Sequence, residues 1–187
     1  MNTVRGGTLI DATRLYLREV GPSDATERYA AWMNDREVTR FMETRFASHS
    51  VESLRQYIEA MRRKPDTLFL AIVLRDGDLH IGNIKLGPVE RAHLCADVAL
   101  MIGDKASWGH GYAAEAIGAL SDHAFQHLGV RKLTAGCYAS NLGSLRAFEK
   151  AGYHVEATRR SQYFCDGSFQ DGLLMARFSP EASAQLA

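Results

Sequence analysis

The chain has 187 residues, 46% of them hydrophobic, which suits one globular domain with a substantial core and falls short of two full domains. Its 22 Lys and Arg are matched by 22 Asp and Glu, which excludes the basic footprint of a nucleic-acid binder and a polybasic membrane anchor. Three cysteines, Cys95, Cys137 and Cys165, lie far apart with no Cys-x-x-Cys pair, so neither a disulfide framework nor a zinc cluster is signalled.

No apolar run approaches the ~20 residues of a membrane span, and no signal-peptide pattern opens the chain, so a reducing cytoplasm is the expected setting.

In chain order, residues 1 to 13 read as a loose lead-in. Leu15 to Val20 then alternates apolar and polar residues as a half-buried strand does, until Gly21-Pro22 stops it. Ser23 or Asp24 is placed to cap a helix that turns Ala25, Tyr29, Trp32 and Met33 inward. A short helical turn with Val38, Phe41 and Met42 follows, then a polar stretch from Glu43 to Ser50. A third helix over Val51 to Arg63 carries the stripe Leu54, Tyr57, Ile58 and Met61.

From Thr67 the pattern changes to β. Leu68 to Leu74 is almost continuously apolar, Asp76-Gly77 signals a hairpin, and His80 to Leu86 reads as its return strand, ending at a turn near Gly87-Pro88. Cys95 to Ile102 is a further strand. It runs into Trp108-Gly109-His110-Gly111, after which Ala113, Ala116, Ile117, Leu120, Ala124 and Leu128 mark one side of a helix that stops at Gly129. Lys132 to Tyr138 is a strand, Asn141 caps a helix with Leu145 and Phe148 inward, and two strands near Tyr153–Phe164 and Phe169–Phe178 close the chain. The order predicts a mixed α/β (α+β), mostly antiparallel sheet with helices on its faces.

A strand that enters a glycine loop and leaves as a helix is the sequence form of an anion cradle. Glycine lets a ligand approach the backbone, and the free N–H groups of a helix start favour phosphate. Gly109-x-Gly111-x-x-Ala114 loosely matches a dinucleotide fingerprint, but that motif needs an acid about 20 residues on, and Lys132 to Tyr138 supplies none. No Gly-Lys-Ser/Thr closes the loop as in a P-loop. A ligand-free turn stays open at this point.

Trp108-Gly109-His110-Gly111-Tyr112-Ala113-Ala114-Glu115-Ala116, followed by Asn141-Leu142-Gly143-Ser144-Leu145-Arg146-Ala147-Phe148-Glu149-Lys150-Ala151-Gly152-Tyr153, resembles the two signature segments of the GNAT N-acetyltransferases, RimJ/RimL-like branch. The resemblance is strongest from Ile81 to Asp171 and implies one GNAT domain over residues 1–187, a sheet of six or seven strands, and acetyl-CoA as acetyl donor without a metal. It places the pyrophosphate on the main-chain N–H groups of Trp108, Gly109, His110, Gly111, Tyr112 and Ala113. The pantetheine arm would lie along the splayed strand at Leu100, Met101 and Ile102, near Asn141, with Phe148 packed beside it. An N–H of that strand would stabilise charge on the acetyl oxygen.

Two positions depart from the family. Ala106 stands where an Arg or Gln is usual, and Phe148 where many members carry a Tyr that protonates the leaving thiolate. Ser144 is the substitute proton donor, beside its plain role in the first turn of a helix. A base must deprotonate the amine. Asp97 is the first candidate, with an outward-facing strand residue as the structural alternative, and Glu43 and His49 follow.

His123 and His127 lack a third ligand for zinc, Cys137 reads as a buried strand residue, and Arg146 and Lys150 as a solvated face. The expected function is direct acetyl transfer to a primary amine. The acceptor is expected to be a small molecule, with an amino sugar or a protein N-terminus open, no nucleic acid or membrane partner, and a homodimer left open. The alternative is a CoA-binding regulatory or interaction module.

Overall fold

The computed structural model describes residues 9–186. One mixed sheet runs β1 (Leu9–Asp11), β2 (Leu15–Glu19), β3 (Leu68–Leu74), β4 (Leu79–Glu90), β5 (Cys95–Ile102), β6 (Lys132–Tyr138), β8 (Ser168–Phe178), β7 (His154–Cys165) in spatial order. Every neighbouring pair is antiparallel except β5 and β6. The expected mixed sheet is therefore present, with eight strands where six or seven were expected.

The strand counted as lead-in is β1, whose three residues are too few for alternation to show. Residues 1–8 of that lead-in lie outside the described residues. At Gly87-Pro88, expected as a turn, β4 continues, and the ladder absorbs the irregularity by a register shift between Leu86 and Val89.

The helices are α1 (Glu27–Asn34), α2 (Arg36–Thr39), α3 (Val51–Arg62), α4 (Tyr112–His127), α5 (Leu142–Lys150) and α6 (Pro180–Leu186). The cap of α1 is Thr26, whose hydroxyl accepts the Tyr29 N–H, rather than Ser23 or Asp24. Asp24 sits in a separate 3-10 turn, where its carboxylate accepts the Gly21 N–H at 2.7 Å and pairs with Arg18 at 2.7 Å. Ser50 caps α3, exchanging hydrogen bonds with Ser53.

β3 is continuously apolar because both its faces are covered. Leu68, Leu70 and Ile72 join the core under α4 and α5, which holds Ala116, Ile117, Leu120, Ala147 and Phe148. Ala71 and Val73 join the second core, under α1 and α3, with Tyr29, Trp32, Met33, Leu54 and Ile58. The order of strands puts β5 and β6 at the centre, and they share only three residue pairs, Cys95 with Lys132, Ala96 with Leu133 and Asp97 with Thr134. Beyond Asp97 they diverge, and the β6-facing edge of residues 98–102 has no strand partner while its other edge stays bonded to β4.

Candidate active site

A cavity of about 1190 Å³ opens where β5 and β6 part, and it is lined by both glycine-loop and N-terminal-helix residues. At its first end, Ile102 leads through a 3-10 turn at Lys105–Ser107 to Gly109 and Gly111, both in the left-handed region with φ of 79° and 81°. Such backbone favours glycine, and Gly111 is the N-cap of α4 with no capping side chain. The first N–H groups of α4 therefore remain available to an anion.

Arg14, from the β1–β2 turn, fastens this loop from outside. Its backbone N–H and Nε donate to the two oxygens of Glu115 at 2.6 and 2.7 Å, Nη1 donates to the His110 carbonyl at 3.0 Å, and the guanidinium lies 4.7 Å over the Tyr112 ring. Glu115 stands in the first turn of α4, so this pairing offsets a negative charge beside the cradle. A cation thus reaches the loop although position 106 is Ala.

Along the parted strands, Val98 to Ile102 line the cavity on one side, and Gly136, Cys137 and Tyr138 on the other. Trp108 lines it too, and its Nε1 donates to the Ile102 carbonyl at 2.8 Å. Asn141 caps α5 by accepting the Ser144 N–H at 3.1 Å, and its amide nitrogen has no partner among the described residues. Ser144 and the fully buried Phe148 complete that wall. Burial pushes the Cys137 thiol up, against a lowering by the hydrogen bond with the neighbouring Ser144 hydroxyl.

The other end reaches under α1, α2 and α3. Here the Tyr138 hydroxyl donates to Glu43 at 2.6 Å and accepts from Arg45 at 3.0 Å, and the Tyr163 ring stacks on Tyr138 at 4.2 Å. Burial and the Glu43 hydrogen bond raise the Tyr138 pKa, keeping the phenol protonated. His49 lines this end with Nε2 3.0 Å from the Thr44 carbonyl. Asn83 and Lys85 from β4 form part of its floor.

Of the residues expected from sequence, Leu100, Met101, Ile102, Trp108, Gly109, Gly111, Tyr112, Ala113, Asn141, Ser144 and Phe148 all line this cavity. His110 is not part of the lining. Its ring stacks on Tyr112 at 5.7 Å and its carbonyl is held by Arg14. Asp97 is not brought to the cavity either. Ala96 and Val98 take the buried positions beside it, so Asp97 is exposed, and its carboxylate accepts the Thr134 hydroxyl. Arg146 and Lys150, expected on a solvated face, are exposed and also stand at the cavity's rim.

Sequence reasoning places acceptor recognition in the N-terminal helices, the Glu43 to Ser50 stretch, which holds Arg45, and the hairpin around Tyr163 to Ser168, but it passes over Arg14 and Tyr138. Arg45 and Tyr138 are 93 positions apart and Arg14 and Glu115 101 apart, so only the fold unites them. Tyr138, at the end of a strand and next to a predicted cap, was the one accessible signal. His123 and His127 rings stand 4.8 Å apart, and no group of three metal-binding side chains occurs among the described residues. No helix among them is long and apolar enough to cross a membrane.

Residues 14–154 match the model of the acetyltransferase (GNAT) domain. A probable N-acetyltransferase of Bacillus subtilis, YjcK, is 28% identical over 178 residues, covering 92% of this chain and 98% of that protein. Mycobacterium smegmatis RimJ, solved with CoA-disulfide, has the same fold with a TM-score of 0.79 at 22% identity, covering 96% of this chain and 93% of that one. The spermidine N-acetyltransferase of Vibrio cholerae, solved with CoA and spermine, superposes with a TM-score of 0.79 at 19% identity over 91% of this chain and 98% of that one. With the family's domain matched over most of the chain, on a parted sheet and a glycine-lined helix start, the chain belongs to the GNAT acetyltransferases.

Proposed function

We propose that the chain transfers the acetyl group of acetyl-CoA directly to the primary amine of a small molecule, with both reactants held at once. One observation carries this reading: the unpaired edge of residues 98–102, the helix start at Gly111 and the Glu43–Tyr138 pair all face a single continuous cavity. Its volume of about 1190 Å³ is larger than the roughly 300–1,000 Å³ of a site for one small ligand.

The chain's groups fit a CoA arm. Backbone N–H groups at Gly111 to Ala113 suit the pyrophosphate, and the free edge of β5 suits an extended amide-bearing chain, which it would hydrogen-bond as a neighbouring strand does. Bound there, acetyl-CoA supplies an activated thioester. A C–N bond forms to the acceptor as the C–S bond breaks, the amine gives up a proton, and the departing thiolate takes one. Glu43 is proposed to receive the amine's proton, through the Tyr138 hydroxyl that hydrogen-bonds it, because Glu43 lines the cavity and Asp97 does not. Ser144 is proposed to give the thiolate its proton. A thiol with a pKa near ~8.5 is a tolerable leaving group, so little help is needed.

The test is release of free CoA from acetyl-CoA across a panel of amines, run beside calorimetric titration with CoA. Amine-dependent release is expected, and tight CoA binding with no acceleration by any amine would leave only the binding-module reading. Gly111→Val puts a β-branched side chain at φ 81°, toward Arg14, and is expected to weaken CoA binding about tenfold or more. Unchanged affinity in the folded variant would refute the cradle.

A further inference from the structure

The acceptor end of the cavity is lined by four charged side chains: Glu37, Arg40, Glu43 and Lys85. Three of them are committed within the protein. Glu37 shares Lys105, at 3.0 Å, with Asp35 at 2.8 Å, Arg40 pairs with Asp166 at 2.5 Å, and Glu43 has Arg45 at 3.5 Å and the Tyr138 hydroxyl. Lys85 has neither an ion pair nor a hydrogen bond among the described residues. Lys85 is therefore the one of these four charged groups without a partner among the described residues.

Its place on β4 is defined by register. Lys85 stands opposite Phe69 on β3 and Ala99 on β5, and Tyr57 packs edge-on against Phe69 at 5.6 Å. The half-buried lysine stem thus lies among apolar and aromatic neighbours with nothing to bond its ammonium. Asp97 lies diagonally across on the same sheet face, but its carboxylate accepts the Thr134 hydroxyl.

Two residues earlier, on the same face, Asn83 is only 3% exposed and lines the cavity. His80 Nε2 lies 2.9 Å from the Gly82 carbonyl and 3.0 Å from Asn83 Oδ1. A carbonyl only accepts, so Nε2 carries the proton, which orients the amide with Oδ1 toward His80. Asn83 Nδ2 is a buried donor turned toward the Tyr29 hydroxyl, with no other acceptor among the described residues. Buried donors are rarely left unsatisfied.

We propose that Lys85 forms an anion subsite on β4 and that the acceptor is an amine bearing a carboxylate a few bonds from its nitrogen, as an amino acid does. This rests on the acetyl-transfer reading above. Lys85 faces Ala99, next to the stretch of β5 that would hold the thioester, so a carboxylate on Lys85 leaves the nitrogen within a few bonds of the acetyl carbon. A single lysine matches a singly charged carboxylate. The same ammonium disfavours a protonated amine nearby and so favours the neutral nucleophile. Glu37 and Glu43 already face Lys105 and Arg45, so a polyamine's second cation has to compete with those groups.

The test compares matched pairs: phenylalanine with phenethylamine, methionine with 3-(methylthio)propylamine, phosphoethanolamine with ethanolamine, and spermidine alone. The carboxylated member of each of the first two pairs is expected to win in kcat/KM by about tenfold or more, the range of a charge-assisted hydrogen bond. In Lys85→Gln that ratio falls to about one. Equal use of both members by the wild type, a ratio unchanged in Lys85→Gln, or preference for phosphoethanolamine or spermidine over both amino acids overturns the carboxylate subsite. If no amine is acetylated, acetyl transfer itself fails, and the subsite is judged by calorimetry on the CoA-loaded protein: the amino acids bind wild type and not Lys85→Gln, or the subsite is wrong as well.

Discussion

Two carboxylates compete for the role of base, and their surroundings separate them. Glu43 lines the cavity and accepts the Tyr138 hydroxyl, whereas Asp97 is exposed and accepts Thr134. Glu43→Gln is expected to lower kcat by about 10²-fold or more. A comparable loss in Asp97→Asn, with Glu43→Gln active, would move the base to β5. Ser144→Ala is expected to cost less than the ~10²-fold typical of a general acid, because the thiolate leaves readily unaided. Part of this was legible in the sequence. The capping role of Asn141 follows from residue type and spacing, and the outward direction of Asp97 follows from strand period, given Ala96 and Val98 inside. Pairs such as Arg45 with Tyr138 were not legible, because local pattern holds no information on which distant side chains meet.

The elements around the site are held by a few polar fastenings with measurable signatures. In the turn after β2, burial pushes the Asp24 carboxyl up, but the paired Arg18 guanidinium and the Gly21 N–H outweigh it and hold the group below its ordinary value. A carboxyl lowered on folding contributes stability above its unfolded pKa and loses it as pH falls through the folded one. Asp24→Asn is therefore expected to cost about 1.5 kcal/mol at pH 7, the lower end for a charge-assisted bond because Arg18 is 37% exposed. Urea denaturation should show the difference from wild type shrinking below about pH 4. A gap that stays constant down to pH 2 would sink this account. Helices and long strands were readable from their periodicities. The 3-10 turn that moved the α1 cap to Thr26 was not, since Ser23, Asp24 and Thr26 are all acceptable caps and only tertiary pairing of Asp24 with Arg18 decides among them.

At the scale of the whole molecule, ligand and fold are coupled. CoA at 100 times its dissociation constant stabilises by about 2.7 kcal/mol, which for a chain of this size raises Tm by roughly 5–10 °C. Calorimetric scans with and without CoA measure that shift, and about half of it or less is expected from Gly111→Val at the same CoA concentration, where a tenfold weaker site is stabilised by about 1.4 kcal/mol. Where β5 and β6 part, three residue pairs bridge a leaf of five strands, β1 to β5, and a leaf of three, β6 to β8. The short seam makes local breathing cheapest along the line the donor occupies. Without CoA, the amides of residues 98–102 that face the gap are expected to exchange with solvent deuterium by breathing of the seam alone, while those of β3 wait for global unfolding. With CoA bound, both sets are expected to slow together, since a ligand that fills the missing rung makes the two leaves open as one.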